Sequence, residues 1–175
     1  MRFSLRLAAA IVFAAASTAQ ADAAPIDRAV AALVSQLADH DASEYRGGRR
    51  TYPMLGDEDI RVVFFTLEGF GGGNNYTFYI AAFQLLAWTG KPDRYQLLGV
   101  DQIGGNGWRS IDADHPRISG ECVTLATEDY VPGDPMSHPT VGGTATYCLR
   151  LHPYRSTRAL EPVEADGSPP PHRKR

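Results

Sequence analysis

The sequence predicts an α+β domain in which an N-terminal helix packs on an antiparallel meander of about six strands, closed by a single disulfide. Three observations carry this. One amphipathic stripe of helical period stands near the start. A series of short segments rich in β-branched and aromatic residues follows, punctuated by Gly, Pro and Asn. Only two cysteines are present, and they fall in the last two of those segments.

The first 23 residues read as a secretory signal. Arg2 and Arg6 open it, Leu7 to Ala16 form a short apolar run, and A-x-A sites follow at Ala19–Ala21 and Ala21–Ala23. A run of about ten apolar residues is too short to span a bilayer as a helix, and no later stretch is longer. The expectation is a periplasmic or secreted chain with a single domain over residues 24–153 and a disordered tail over 154–175. Removing Arg2, Arg6 and Asp22 with the signal leaves 15 basic and 19 acidic residues, a net charge near −4. Nucleic acid and anionic membrane surfaces, which call for a basic face, are thereby disfavoured as partners.

Within the domain, Pro25 suits a first helical position, and Ile26, Val30, Leu33, Val34 and Leu37 form one stripe through about residue 40. Asp41 to Glu58 is polar, with Gly-Gly and Pro, and reads as a loop. Ile60–Glu68 (IRVVFFTLE) and Tyr76–Trp88 (YTFYIAAFQLLAW) are strands with apolar residues on both alternating faces, so both faces should be covered. The helix accounts for one face. Tyr95–Ile103, Trp108–Asp112, Glu121–Tyr130 and Thr144–His152 complete the six.

Cys122 and Cys148 belong to an oxidising compartment and are expected to pair; they lack the C-x-x-C spacing of a redox or zinc motif. If they face one another across antiparallel strands, Thr124 faces Thr146 and Ala126 faces Thr144. Val123, Leu125, Tyr147, Leu149 and Leu151 then share the opposite, apolar face, as a solvent-backed sheet requires.

The densest cluster of unusual residues is EGFGGGNNY (Glu68–Tyr76), with four glycines and two asparagines in nine positions. A G-x-G-x-x-G phosphate cradle is excluded, since its third glycine would fall on Asn74 and a strand rather than a helix follows. No histidine has metal-ligand spacing and no G-x-S-x-G elbow occurs, so no cofactor is expected. Gly72-Gly73-Asn74 recurs 32 residues on as Gly104-Gly105-Asn106, each followed two residues later by an aromatic. Duplication of a hairpin and shared turn chemistry both account for that.

In a meander every second connection lies at the same end of the sheet. Gly69–Asn75, Gly104–Gly107 and Val131–Gly143 would therefore form one rim carrying Phe70, Asn74, Asn75, Tyr76, Asn106, Trp108, Asp134, Met136 and His138. Aromatics beside amides suit an interface. The leading expectation is a non-catalytic envelope binding protein engaging a protein or glycan through that rim, for instance as an inhibitor or immunity protein. One alternative is a glycan or cell-wall hydrolase using Glu68 and Asp101 as a carboxylate pair. Another is a structural envelope component associating through a sheet face.

The stretches Gly72-Gly73-Asn74-Asn75-Tyr76 and Tyr130–Thr140 (YVPGDPMSHPT) resemble a loose group of small exported bacterial proteins of unknown function. In that group a similar Y-x-P-G-D stretch runs into two cysteines, where this chain has Ser137 and His138. The resemblance covers about residues 60–150 and implies no particular activity.

The cysteine assignment has a direct check. Intact mass is expected to rise by two hydrogens on reduction, and reduction is expected to lower stability by about 3.5 kcal/mol, the loop-closure value for this separation. An unchanged mass would refute the pairing.

Overall fold

A computed structural model describes residues 24–54, 57–135, 139–151 and 158–163; the signal segment lies outside them. One helix, α1 (Pro25–Leu37), packs on a continuous antiparallel sheet of ten strands, more than the six expected. The strands are β1 (Ser43–Glu44), β2 (Arg50–Met54), β3 (Asp57–Glu68), β4 (Tyr76–Leu86), β5 (Arg94–Gly105), β6 (Arg109–Ile111), β7 (Arg117–Ser119), β8 (Cys122–Asp129), β9 (Val141–Leu151) and β10 (Arg158–Val163). The pairing order is β1-β3-β4-β5-β6-β8-β9-β10, with β2 also on β3 and β7 also on β8. The main path is therefore a meander.

The additional strands lie where polar composition hides them. β1 and β2 fall in the segment read as a loop, and β7 between the segments Trp108–Asp112 and Glu121–Tyr130 expected as strands. β10 falls in the stretch read as a disordered tail, yet it pairs with β9 over six residues. Pro53 and Pro162 sit in β2 and β10, which are edge strands, where a missing N–H donor is tolerated.

α1 begins with Pro25 in its first turn, as expected. Val30 and Leu33 are buried against Val63, Phe65 and Leu67 of β3 and Ala81 and Phe83 of β4. The opposite faces of the same strands bury Ile60, Val62, Phe64, Ile80 and Ala82 in a second core with Ile111, Val123, Leu125, Tyr147, Leu149 and Leu160. Both faces of β3 and β4 are thus covered, one by the helix and the other by the chain's own second half-sheet.

That second layer exists because the sheet turns a corner at β5 and β6, which pair at a single position, Gly105 with Arg109. A Cβ on Gly104 would lie 2.6 Å from the Arg109 carbonyl oxygen, so only glycine admits the approach. The other side closes at Gly99, where a Cβ would lie 2.9 Å from the Leu160 nitrogen as β10 crosses β5.

Cys122 and Cys148 form the disulfide from directly opposed positions of β8 and β9. Thr124 faces Thr146 with their hydroxyls 3.0 Å apart, and Ala126 faces Thr144. Val123, Leu125, Tyr147 and Leu149 lie in the inner core, so the two-faced register expected from the cysteines is the one present; the Leu151 side chain lies outside the described atoms.

The corner glycine generates a paired expectation. Gly104→Ala should cost about 2 kcal/mol or more, in the range of overpacked cores. Gly142→Ala, where a Cβ meets nothing within 4 Å, should stay within about 0.5 kcal/mol. Denaturant midpoints of the two variants test this, and equal shifts would remove the close-approach argument.

Candidate functional site

The three connections meet at one edge of the sheet, joined by backbone hydrogen bonds. The Asn106 amide donates to the Tyr76 carbonyl at 3.0 Å, and the Tyr130 amide to the Trp108 carbonyl at 3.0 Å. Tyr76 and Tyr130 also share a side-chain hydrogen bond, and burial together with that bond raises the Tyr76 phenol above its ordinary pKa.

Side chains at this edge divide into those that build it and those it displays. The glycine loop is a turn. Gly69, Gly71 and Gly72 have φ of 89°, 60° and 70°, which glycine adopts without steric cost. The Gly69 amide donates to the Asn75 carbonyl at 2.9 Å, and Asn75 Nδ2 donates to the Phe70 carbonyl at 3.0 Å. The ring of Phe70 packs inward against the helix-side core. Asp39, just beyond α1, accepts from the Gly71 amide at 2.9 Å and from the amides of Asp41 and Ala42, and these bonds hold its carboxyl below the ordinary value.

Asp134 is likewise occupied. It accepts from the Val131 amide at 3.1 Å and from the amide and hydroxyl of Thr140, closing its own loop. Asn74 is exposed; Asn106 and Trp108 are half-buried, with the Arg109 guanidinium 5.6 Å from the Trp108 ring. Arg109 is itself held by Asp129, at 3.0 Å through Nη2. Met136 and His138 lie outside the described residues. Of the expected rim, Asn74, Asn106 and Trp108 are presented, whereas Phe70, Asn75 and Asp134 maintain the loops.

Beside the glycine loop lies a cleft of about 330 Å³ lined by Tyr45, Gly48, Arg50, Thr66, Glu68, Tyr76, Phe78 and the segment Ile111–Asp114. It opens because β6 leaves β5 after one paired position and follows β8 instead. Phe78 and Ile111 form its apolar base, both packed on the inner core. Tyr45 rises on one side, tethered through its amide to the Thr66 carbonyl at 3.0 Å. Across the mouth, the Tyr52 hydroxyl donates to the carbonyls of Ala113 and Asp114 at 3.0 and 3.1 Å, and Arg50 pairs with Asp114. Asp112 accepts from the amides of Asp114 and His115 at 3.0 and 3.2 Å and contacts the His115 ring. Glu68 is the exception: its carboxylate has no hydrogen-bond partner among the described residues.

Sequence reasoning missed Tyr45, Arg50 and Asp112–Asp114 as cleft residues. The Asp-x-Asp-His run at 112–115 carried a turn signal, but its neighbours come from β1 and β2, which are separated from it by some sixty residues.

Glu68 and Asp101 do not converge. Glu68 is paired with Tyr76 and Asp101 with Ile80, on strands either side of β4. A rise of about 3.4 Å per residue and about 4.8 Å between strands place their Cα atoms roughly 16 Å apart. Paired glycosidase carboxyls stand roughly 5–9.5 Å apart. Asp101 instead lies half-buried on the inner face near Tyr147, whose phenol is pushed up to about 12, chiefly by burial and then by the Asp101 charge. Burial raises the Asp101 carboxyl, opposed by the Gln102 amide at 2.9 Å.

Among the described residues no group of three or more His, Cys, Asp or Glu side chains is placed to hold a metal ion, and no helix is long and apolar enough to cross a membrane. No protein-family model, curated protein or solved structure matches the chain.

A raised folded-state value makes Asp101 a stability liability at neutral pH. Between the ordinary carboxylate range and its folded value, the folded chain holds a proton that the unfolded chain releases, so stability falls as pH rises through that window. Asp101→Asn should therefore raise the denaturant midpoint at about pH 7 and have a smaller effect at about pH 3, where both states are protonated. An effect of equal size at both pH values would refute the assignment.

Proposed function

We propose that the chain is an exported, non-catalytic binding domain that engages an envelope partner through the loop edge carrying Asn74, Asn106 and Trp108 and the adjoining cleft. The observation that carries this reading is the convergence of three separately encoded loops, tied by the Asn106–Tyr76 and Tyr130–Trp108 backbone bonds into one firm surface. Pre-organisation of this kind reduces the ordering cost of association. The half-buried Trp108, on the same edge as Asn74 and Asn106, supplies an anchor with few rotors.

The competing readings gain less from the geometry. A two-carboxylate hydrolase calls for convergence that the β3–β4–β5 register does not provide. Association through a bare sheet face calls for an apolar surface on β3 and β4, and there the helix and the second half-sheet occupy both faces. Among the described residues the exposed large apolar side chains are Tyr45, Trp88, Leu97, Val131 and Val141, none of them on β3 or β4.

Photo-crosslinking in the exported compartment tests the reading. A crosslinker at position 74 or 106 is expected to give a discrete adduct with an envelope component, and one at Gly90, at the far end of the β4–β5 hairpin, to give none. Trp108→Ala should reduce the adduct at least tenfold under conditions where its denaturation curve shows the variant fully folded. Adducts of equal yield from position 90, or undiminished by Trp108→Ala, would overturn it.

A further inference from the structure

We infer that the cleft beside the glycine loop accepts a lysine side chain projected by a partner protein, with Glu68 as the counter-ion. This deepens the binding-domain reading and rests on it.

The argument starts from the inventory of charge. Three carboxylates line the cleft, Glu68, Asp112 and Asp114, against one cation, Arg50. Arg50 is already paired with Asp114 and donates through Nη1 to the carbonyls of Gly47 and Arg49 at 2.8 and 3.0 Å. Asp112 is occupied by the amides and ring of its own turn. The carboxylate left over is Glu68, at the end of β3 where the chain enters the glycine loop. Glu68 is exposed and has no partner among the described residues, and at the mouth of a cleft whose lining is net negative such a carboxylate selects a cation.

Shape and polarity narrow the class. The base is apolar, formed by Phe78 and Ile111, and Tyr76 meets Phe78 edge-on with ring centroids 5.3 Å apart. Tyr45 stands opposite, more than half exposed. Aromatic faces attract an ammonium within about 6 Å, and an alkyl stem buries its methylenes along an apolar wall while its head stays near water. A volume of about 330 Å³ accommodates such a side chain together with part of the backbone that bears it. An amino sugar satisfies the charge but sets ring hydroxyls against the apolar base of Phe78 and Ile111, which favours an alkyl stem. The neighbouring edge of Asn74, Asn106 and Trp108 would meet the protein surface around the lysine, so the cleft and the edge form parts of one interface.

Nuclear magnetic resonance titration with Nα-acetyl-lysine methylamide tests this directly. Saturable shifts of the Tyr45, Tyr76 and Phe78 ring signals are expected, weakening as salt is raised. Nα-acetyl-norleucine methylamide, which keeps the stem and lacks the charge, should bind at least tenfold more weakly. Glu68→Gln should bring lysine binding down to the norleucine level. Equal binding of norleucine, salt-independent binding, unchanged affinity in Glu68→Gln, or tighter binding of glucosamine than of the lysine probe would each overturn the inference. If Glu68→Gln perturbs folding, the norleucine and salt comparisons on the unaltered chain still decide. Failure of the lysine titration with crosslinks from positions 74 and 106 intact removes this inference alone; loss of the crosslinks removes the edge reading beneath it.

Discussion

The close approach of two backbones at Gly104 governs the architecture. With 2.6 Å between an imagined Cβ and the Arg109 oxygen, any side chain there would force β6 away from β5. Glycine allows the sheet to turn after a single shared position, Gly105 with Arg109, and the strands that follow fold back over the inner face of the first half. Without that corner β3 and β4 would expose Ile60, Val62, Phe64, Ile80 and Ala82 to water. Each fully buried aliphatic or aromatic side chain contributes about 1.5–3 kcal/mol, so the corner decides whether the chain has one core or two.

The same corner produces the cleft. A strand that leaves its neighbour after one residue leaves a cleft above Phe78 of β4 and Ile111 of β6, and the cleft is narrowed rather than filled. Tyr52 and Arg50 reach across from β2 to the Asp112–Asp114 turn, and this holds the opening at a fixed width. The edge strand is fastened on its outer side as well. Arg49 bridges Glu44 of β1, at 2.6 Å through Nε, and Asp27 of α1 at 2.8 Å. Helix, edge strand and cleft wall are therefore connected through consecutive arginines.

Much of this was legible in the sequence, and the limits have physical causes. The central strands β3 and β4 are evident from apolar residues on both faces, and the cysteine pair by itself predicts the β8–β9 register. The edge strands β1, β2 and β10 were read as loop or tail because a strand paired on one side buries little and carries Pro and charge without penalty. Their pairing partners lie in strands of strong signal, so they exist through tertiary context rather than propensity. The identity of the covering layer was similarly hidden, since a corner made by close approach has no periodicity. Gly104 and Gly72 read alike as turn glycines although one is required for space and the other for a positive φ.

The loop edge shows a further limit of reading residues by type. Asn and Asp in loops have two uses, recognition of something else and satisfaction of the loop's own amides. Asn75 and Asp134 take the second, each bonded within its own loop, whereas Asn74 and Asn106 make no such side-chain bond among the described residues and are left at the surface. Phe70 is drawn inward by the helix-side core. Composition placed all of these residues at one edge correctly but had no means of dividing scaffold from display, because the division depends on which backbone amides each loop leaves unsatisfied. Glu68 follows the same logic in reverse. Its position before the glycine loop suggests half of a catalytic pair with Asp101, yet the strand register separates the two, and Glu68 stands beside tyrosines and a phenylalanine with no counter-ion among the described residues. A carboxylate beside aromatic rings suits a cation, and the binding reading proposed for the cleft rests on that chemistry.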